Sequence, residues 1–210
     1  MIIKALSRFA MALAAAALLV PVAKADSLFV GSQAGYCCFN VDLLQVDSTH
    51  MQVTVSLTGG AQYFVNSGGG NHPGFAFNLA GDPAVSVTSI NAPWTLSSFS
   101  PNPVNSNGPS LGTFDYYITN PGNGANAHNP GPLVFTLFNA SGINYSDFVA
   151  NSAGYYFAAD IMNADGKTGM SGISNPPTST SPVPEPSSLA LLGTGIIGAA
   201  GFVRRKLLHS

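Results

Sequence analysis

Residues 50–58 read HMQVTVSLT. In an extended chain Met51, Val53, Val55 and Leu57 fall on one side, and Gln52, Thr54, Ser56 and Thr58 on the other. Successive side chains of a strand point to opposite faces, so this two-residue period predicts a strand with one buried and one wet face. The same alternation returns in GFAFNLA (74–80), AVSVTSI (84–90), GTFDYYIT (112–119), GPLVFTLFN (131–139) and GYYFAADIM (154–162). SLFV (27–30) and YCCFNVDLLQV (36–46) supply two more candidates. Between them lie NSGGGNHPG, AGDP, SPNPVNSNGP and NPGNGANAHNPGP, whose Gly, Pro and Asn break regular structure. Short strands with no long helical pattern predict an all-β fold, an antiparallel β-sandwich of jelly-roll-like character. One short helix is expected at SDFVANS (146–152), with Ser146 capping its first turn.

Charge is scarce and unevenly placed. Charged residues make up 8% of the 210-residue chain, against roughly 25% in ordinary soluble domains. Lys4, Arg8 and Lys24 lie near the start, Arg204, Arg205 and Lys206 near the end, and only Lys167 between. Over residues 26–181, eight Asp minus one Lys give a formal charge of −7. Phosphate backbones require clustered Lys and Arg, so nucleic-acid binding is excluded.

The two ends read as targeting segments. Lys4 and Arg8 precede an apolar run from Phe9 to Val20, and Ala23-Lys24-Ala25 places small residues where signal peptidase reads them. Residues 1–25 are therefore expected to be a signal peptide, cut after Ala25. Ser187 to Val203 is uncharged over seventeen residues, which as a helix span about 26 Å, a marginal membrane crossing. Arg204, Arg205 and Lys206 then act as a stop, holding that end in the cytoplasm. Within this run Gly193-Thr194-Gly195-Ile196-Ile197-Gly198 matches G-x-G-x-x-G, yet no strand precedes it and no acidic residue follows at the required distance. Small-residue helix packing explains it better. The expected organisation is signal peptide 1–25, β domain 26–174, Pro/Ser/Thr linker 175–186, transmembrane helix 187–203 and basic tail 204–210.

Residues 183–206, VPEPSSLALLGTGIIGAAGFVRRK, resemble the PEP-CTERM sorting signal of Gram-negative, polysaccharide-secreting bacteria. On that resemblance Pro184, Glu185 and Pro186 are the sorting motif, 187–203 the temporary anchor and Arg204 to Lys206 the stop. The resemblance implies transient anchoring in the inner membrane and processing by exosortase, a membrane-embedded cysteine transpeptidase. It also implies delivery to the outer surface or extracellular matrix.

Chemistry-bearing residues in the β domain are few. Cys37 and Cys38 are adjacent, with Cα atoms ~3.8 Å apart, below the ~4.4–6.8 Å usual for a disulfide. A strained vicinal disulfide, free thiols and intermolecular bonding all remain open. Asp160, Asn163 and Asp165 in ADIMNADGKTG form a candidate calcium site, although Ile161 and Gly172 stand where an EF-hand needs acids. His72 and His128 sit in two echoing Pro-Gly loops and would share a metal only if those loops were neighbours. Trp94, Tyr117 and Tyr156 are candidate glycan contacts. No catalytic residues, resident metal or cofactor are expected, since neither a nucleophile elbow nor a zinc-protease helix is present. The expected role is a structural or adhesive surface protein. The alternative is a carbohydrate-binding module for exopolysaccharide, with a secreted hydrolase third.

Overall fold

The alternation in HMQVTVSLT becomes the strand His50–Leu57, with Met51, Val53 and Val55 fully buried and the residues between them half-buried. The structure, a computed structural model, describes residues 26–31, 38–67, 72–101, 104–105, 111–122, 124–176 and 178–180. In chain order the strands are β1 Asp26–Gly31, β2 Phe39–Gln45, β3 His50–Leu57, β4 Ala61–Asn66, β5 Phe75–Phe77, β6 Ser86–Ile90, β7 Phe99–Ser100 and β8 Val104–Asn105. They continue with β9 Thr113–Phe114, β10 Tyr116–Ile118, β11 Gly124–Asn129, β12 Leu133–Phe138, β13 Phe157–Asn163, β14 Thr168–Ile173 and β15 Thr178–Thr180.

All pairings are antiparallel, and they form two main sheets. The first has the order β15-β1-β2-β3-β12-β6; the second runs β11-β4-β13-β5-β10-β7, with β14 also paired to β13. Two-stranded β8–β9 stands apart. The expectation of an all-β fold built from antiparallel sheets is met. In the first of them β1, β2 and β3 run as a simple meander.

One core joins the sheets. Phe39, Val41, Leu43, Val53, Val55, Leu133 and Phe135 from the first sheet cluster with Phe64, Phe75, Phe77, Phe157 and Ile161 from the second. Aromatic rings bridge the two layers: Phe75 meets Phe135 at 6.0 Å and Phe39 at 6.3 Å, and Phe77 stacks on Phe135 at 6.0 Å.

A smaller core covers the outer face of the second sheet. Ala76, Ala158 and Gly172 lie side by side across β5, β13 and β14. These small residues leave a shallow trough, in which Leu111 and Phe114 are buried and Tyr117, Tyr155 and Met170 are partly covered. A Cβ added at Gly172 would stand 2.6 Å from Tyr155 Cδ1 and 2.9 Å from Leu111 Cδ2. Gly172→Ala is therefore expected to destabilise the domain by about 1–3 kcal/mol, the usual penalty of overpacking, read as a lowered denaturant midpoint.

Two local expectations are corrected. The helix placed at 146–152 is a single 3-10 turn, Tyr145–Asp147, and its cap is Asn144, not Ser146. Asn144 Oδ1 accepts from Ser146 N at 2.9 Å, while Asp147 Oδ2 accepts from Asn144 N at 2.8 Å. Phe148 then turns extended, and its bridge to Leu79 ends the helical path. The linker expected at 175–186 is also not free throughout. Thr178, Ser179 and Thr180 pair with Leu28, Ser27 and Asp26, so the compact unit runs from Ala25 to Ser181 rather than ending at 174.

The signal peptide 1–25 with Ala23 and Ala25, the motif Pro184, Glu185 and Pro186, the helix 187–203 and Arg204, Arg205 and Lys206 lie outside the described residues. Among the described residues no helix is long and apolar enough to cross a membrane.

Candidate functional site

The structure separates the residues proposed to meet a glycan. Trp94 is 3% exposed and belongs to the main core, edge-on to Phe64 at 5.8 Å. Its ring has no face left for a sugar, which corrects that assignment. Tyr117 packs on the outer core, but Tyr156 packs against the inner one. A bend at residue 156 shifts the phase of the strand, so Tyr155 takes the outer position beside Tyr117.

The calcium trio also fails to converge. Asp160 is fully buried and faces Ser67 and His72. Asn163 Oδ1 instead accepts from Asp165 N at 3.0 Å and Lys167 N at 2.9 Å, closing its own hairpin turn, and Asp165 is exposed. His72 and His128 have different neighbours: His72 faces Asp160, while His128 stacks on Tyr63 at 4.6 Å. Among the described residues no three His, Cys, Asp or Glu side chains gather to hold a metal. Cys38 is held in a disulfide, and the only other cysteine in the sequence, Cys37, lies outside the described residues.

Asp160 is the one buried carboxylate among the described residues. It projects from the outer side of β13 and accepts from Ser67 N at 2.6 Å and Ser67 Oγ at 2.8 Å. His72 Nδ1 stands 3.3 Å from Ser67 Oγ and 3.6 Å from Asp160 Oδ2. Burial raises the Asp160 pKa, with the Ser67 hydrogen bonds and the His72 ring opposing it. Ser67 bonds directly to the carboxylate instead of through the imidazole, so the trio lacks the serine–histidine–carboxylate order of a hydrolase relay. It anchors the chain after β4 onto β13.

A second arrangement opens to solvent. An open cleft of about 350 Å³ is lined by Asp82, Pro83, Ala84, Val85, Pro101, Asp115 and Tyr116. Asp82 ends a tight turn, its N–H donating to Leu79 O at 3.3 Å, and has a left-handed φ of 48°. Asp115 sits between β9 and β10, fixed by its N–H donating to Asn78 Oδ1 at 2.7 Å. Burial first, then the charge of Asp82 and a side-chain hydrogen bond with it, raise the Asp115 pKa. The Tyr116 hydroxyl donates to Pro83 O at 2.6 Å, and burial with the two carboxylates pushes its pKa up to about 12. With its affinity for a proton raised, Asp115 can thus present a donor beside the Asp82 side chain. Sequence reasoning missed this pair. AGDP reads as a turn and Asp115 as the polar position of an alternating strand, and no local pattern links them.

Comparison with known proteins places one segment. A family model described as PEP-CTERM protein-sorting motif matches residues 182–206. No curated protein and no solved structure matches the chain.

Proposed function

From a chain that carries a PEP-CTERM protein-sorting motif, and is thereby directed to export and exosortase processing, we propose a structural or adhesive protein of the cell surface or extracellular matrix. The observation that carries this reading is the sorting motif at 182–206, which begins two residues after the last described strand of the β domain. The scarcity of charge supports it. A domain with one Lys against eight Asp is suited to a hydrated, weakly ionic matrix.

The test is deletion of 183–206 in the producing bacterium. The truncated protein is expected to remain soluble in the periplasm, while the mature wild-type protein outside the cell lacks Arg204, Arg205 and Lys206 by mass spectrometry. Normal surface delivery of the truncated form would refute the reading.

A carbohydrate-binding role has one supporting feature, the Asp82–Asp115 cleft, whose carboxyl oxygens would accept from sugar hydroxyls above the apolar Pro83, Val85 and Pro101. The formal −7 of residues 26–181 favours uncharged sugar units over acidic ones. Retention of the protein on the host's own polysaccharide, lost on adding free oligosaccharide, is the expected result. Passage through such a column without delay would count against this second role.

A further inference from the structure

Asp82–Pro83 is the chain's single Asp–Pro bond. Such a bond is chemically distinct from other peptide bonds. The aspartate carboxylate can reach its own main-chain carbonyl carbon by closing a five-membered ring. The prolyl nitrogen, part of a tertiary amide, departs as a basic secondary amine once protonated. In an unfolded chain that proton must come from strongly acidic solvent. Here both residues line an open cleft together with a second carboxyl, Asp115.

Three features of the fold bear on this bond. Asp82 is the one non-glycine residue with positive φ among the described residues, so its backbone is held away from the extended form. The Tyr116 hydroxyl grips the carbonyl of Pro83 at 2.6 Å, fixing the leaving residue. Burial and the neighbouring Asp82 carboxylate make Asp115 keep its proton to higher pH than an ordinary aspartate.

We propose that the domain cleaves itself between Asp82 and Pro83, with Asp82 as nucleophile and Asp115 as proton donor. An Asp82 carboxylate oxygen forms a bond to the Asp82 carbonyl carbon as the bond from that carbon to the Pro83 nitrogen breaks. The electron pair of the broken bond goes to the nitrogen, which takes the proton of Asp115. The products are a cyclic anhydride at Asp82 and a free secondary amine on Pro83. One water then opens the anhydride to two carboxyl groups, and one proton returns to Asp115. The net change is hydrolysis of one peptide bond.

The pieces would remain together. The cut separates β1–β5 from β6–β15, and the pairings β1–β15, β3–β12, β4–β13, β5–β13 and β5–β10 all join one piece to the other. The sorting signal stays on the second piece, which holds the first through sheet pairing and the shared core.

The experiment holds the full chain at about pH 5, above the ordinary carboxylate range, and reads intact masses under denaturing conditions over time. Two fragments meeting at 82/83 are expected, co-migrating until denatured. They should form roughly a hundredfold faster than in the same chain unfolded in urea, the low end of what a placed general acid contributes. Asp115→Asn should bring the folded rate down to the unfolded one, and Pro83→Ala should abolish the fragments while leaving both carboxylates in place. Equal rates in the folded and unfolded wild-type chain would overturn the proposal, as would an Asp115→Asn variant that folds and cleaves at the wild-type rate.

Discussion

Phe75→Ala is expected to lower the stability of the domain by about 3–5 kcal/mol, the range for deleting a fully buried ring. Four core rings surround it: Phe39, Phe77, Phe135 and Phe157, at 6.3, 5.9, 6.0 and 5.6 Å. Two of these belong to the opposite sheet, so the cavity would open between the layers, where neither can collapse without moving the other. Chemical denaturation gives the number directly. Leu96→Ala, at a residue 56% exposed, should change stability by less than about 0.5 kcal/mol. A Phe75→Ala loss no larger than that of Leu96→Ala would mean that the two sheets do not share this core.

Asp160 should produce the second large effect, with an unusual dependence on pH. Its folded pKa lies above the unfolded value because burial disfavours the charged form. The stability that it contributes is therefore fully present below the unfolded carboxylate pKa and is lost as pH rises through the raised folded value. Asp47 runs the other way. It is exposed in the turn between β2 and β3, where the Thr49 backbone bond, then the His50 and Thr49 side chains, hold its pKa well below the usual carboxylate range. Its contribution is present above the unfolded pKa and fades as pH falls. Unfolding measured from acid to neutral pH should show Asp160→Asn gaining on the wild type as pH rises. A constant difference between the two proteins would show that Asp160 ionises in the fold as it does in the unfolded chain. Asp160→Ala, by contrast, strands the Ser67 N–H and hydroxyl donors and should cost about 1–3 kcal/mol at acid pH, a cost that shrinks as pH rises.

These two residues also mark how far the sequence could be read. Strands with one wet face were legible: β3 and β12 alternate in burial just as their residues alternate in polarity. Phe75, Ala76 and Phe77 are all buried, and so are six residues in a row from Phe157 to Met162. What buries their outer sides includes Leu111 and Phe114, far along the chain, and no two-residue period announces it. Trp94 was misread for a related reason. It lies among loop residues, but its environment is set by Phe64 on another strand. Asp160 did leave a trace, a single acid inside the apolar run FAADIM. Its proximity to the Asn163 turn gives it the sequence pattern of a metal ligand, although its side chain is buried. The sorting motif was legible throughout, because it is written in the order of residue types alone, Pro-Glu-Pro, an apolar run and a basic cluster.

The three-residue zipper between Thr178–Thr180 and Asp26–Leu28 has a temporal consequence. A secreted chain crosses the membrane amino end first, so β1 can meet β2 early, while its other margin waits for the last described strand to emerge. During that interval a row of unsatisfied amides and carbonyls stands exposed, open to capture by any neighbouring nascent chain. Arrival of β15 closes the window, and the domain seals itself only as its own sorting tail comes into view.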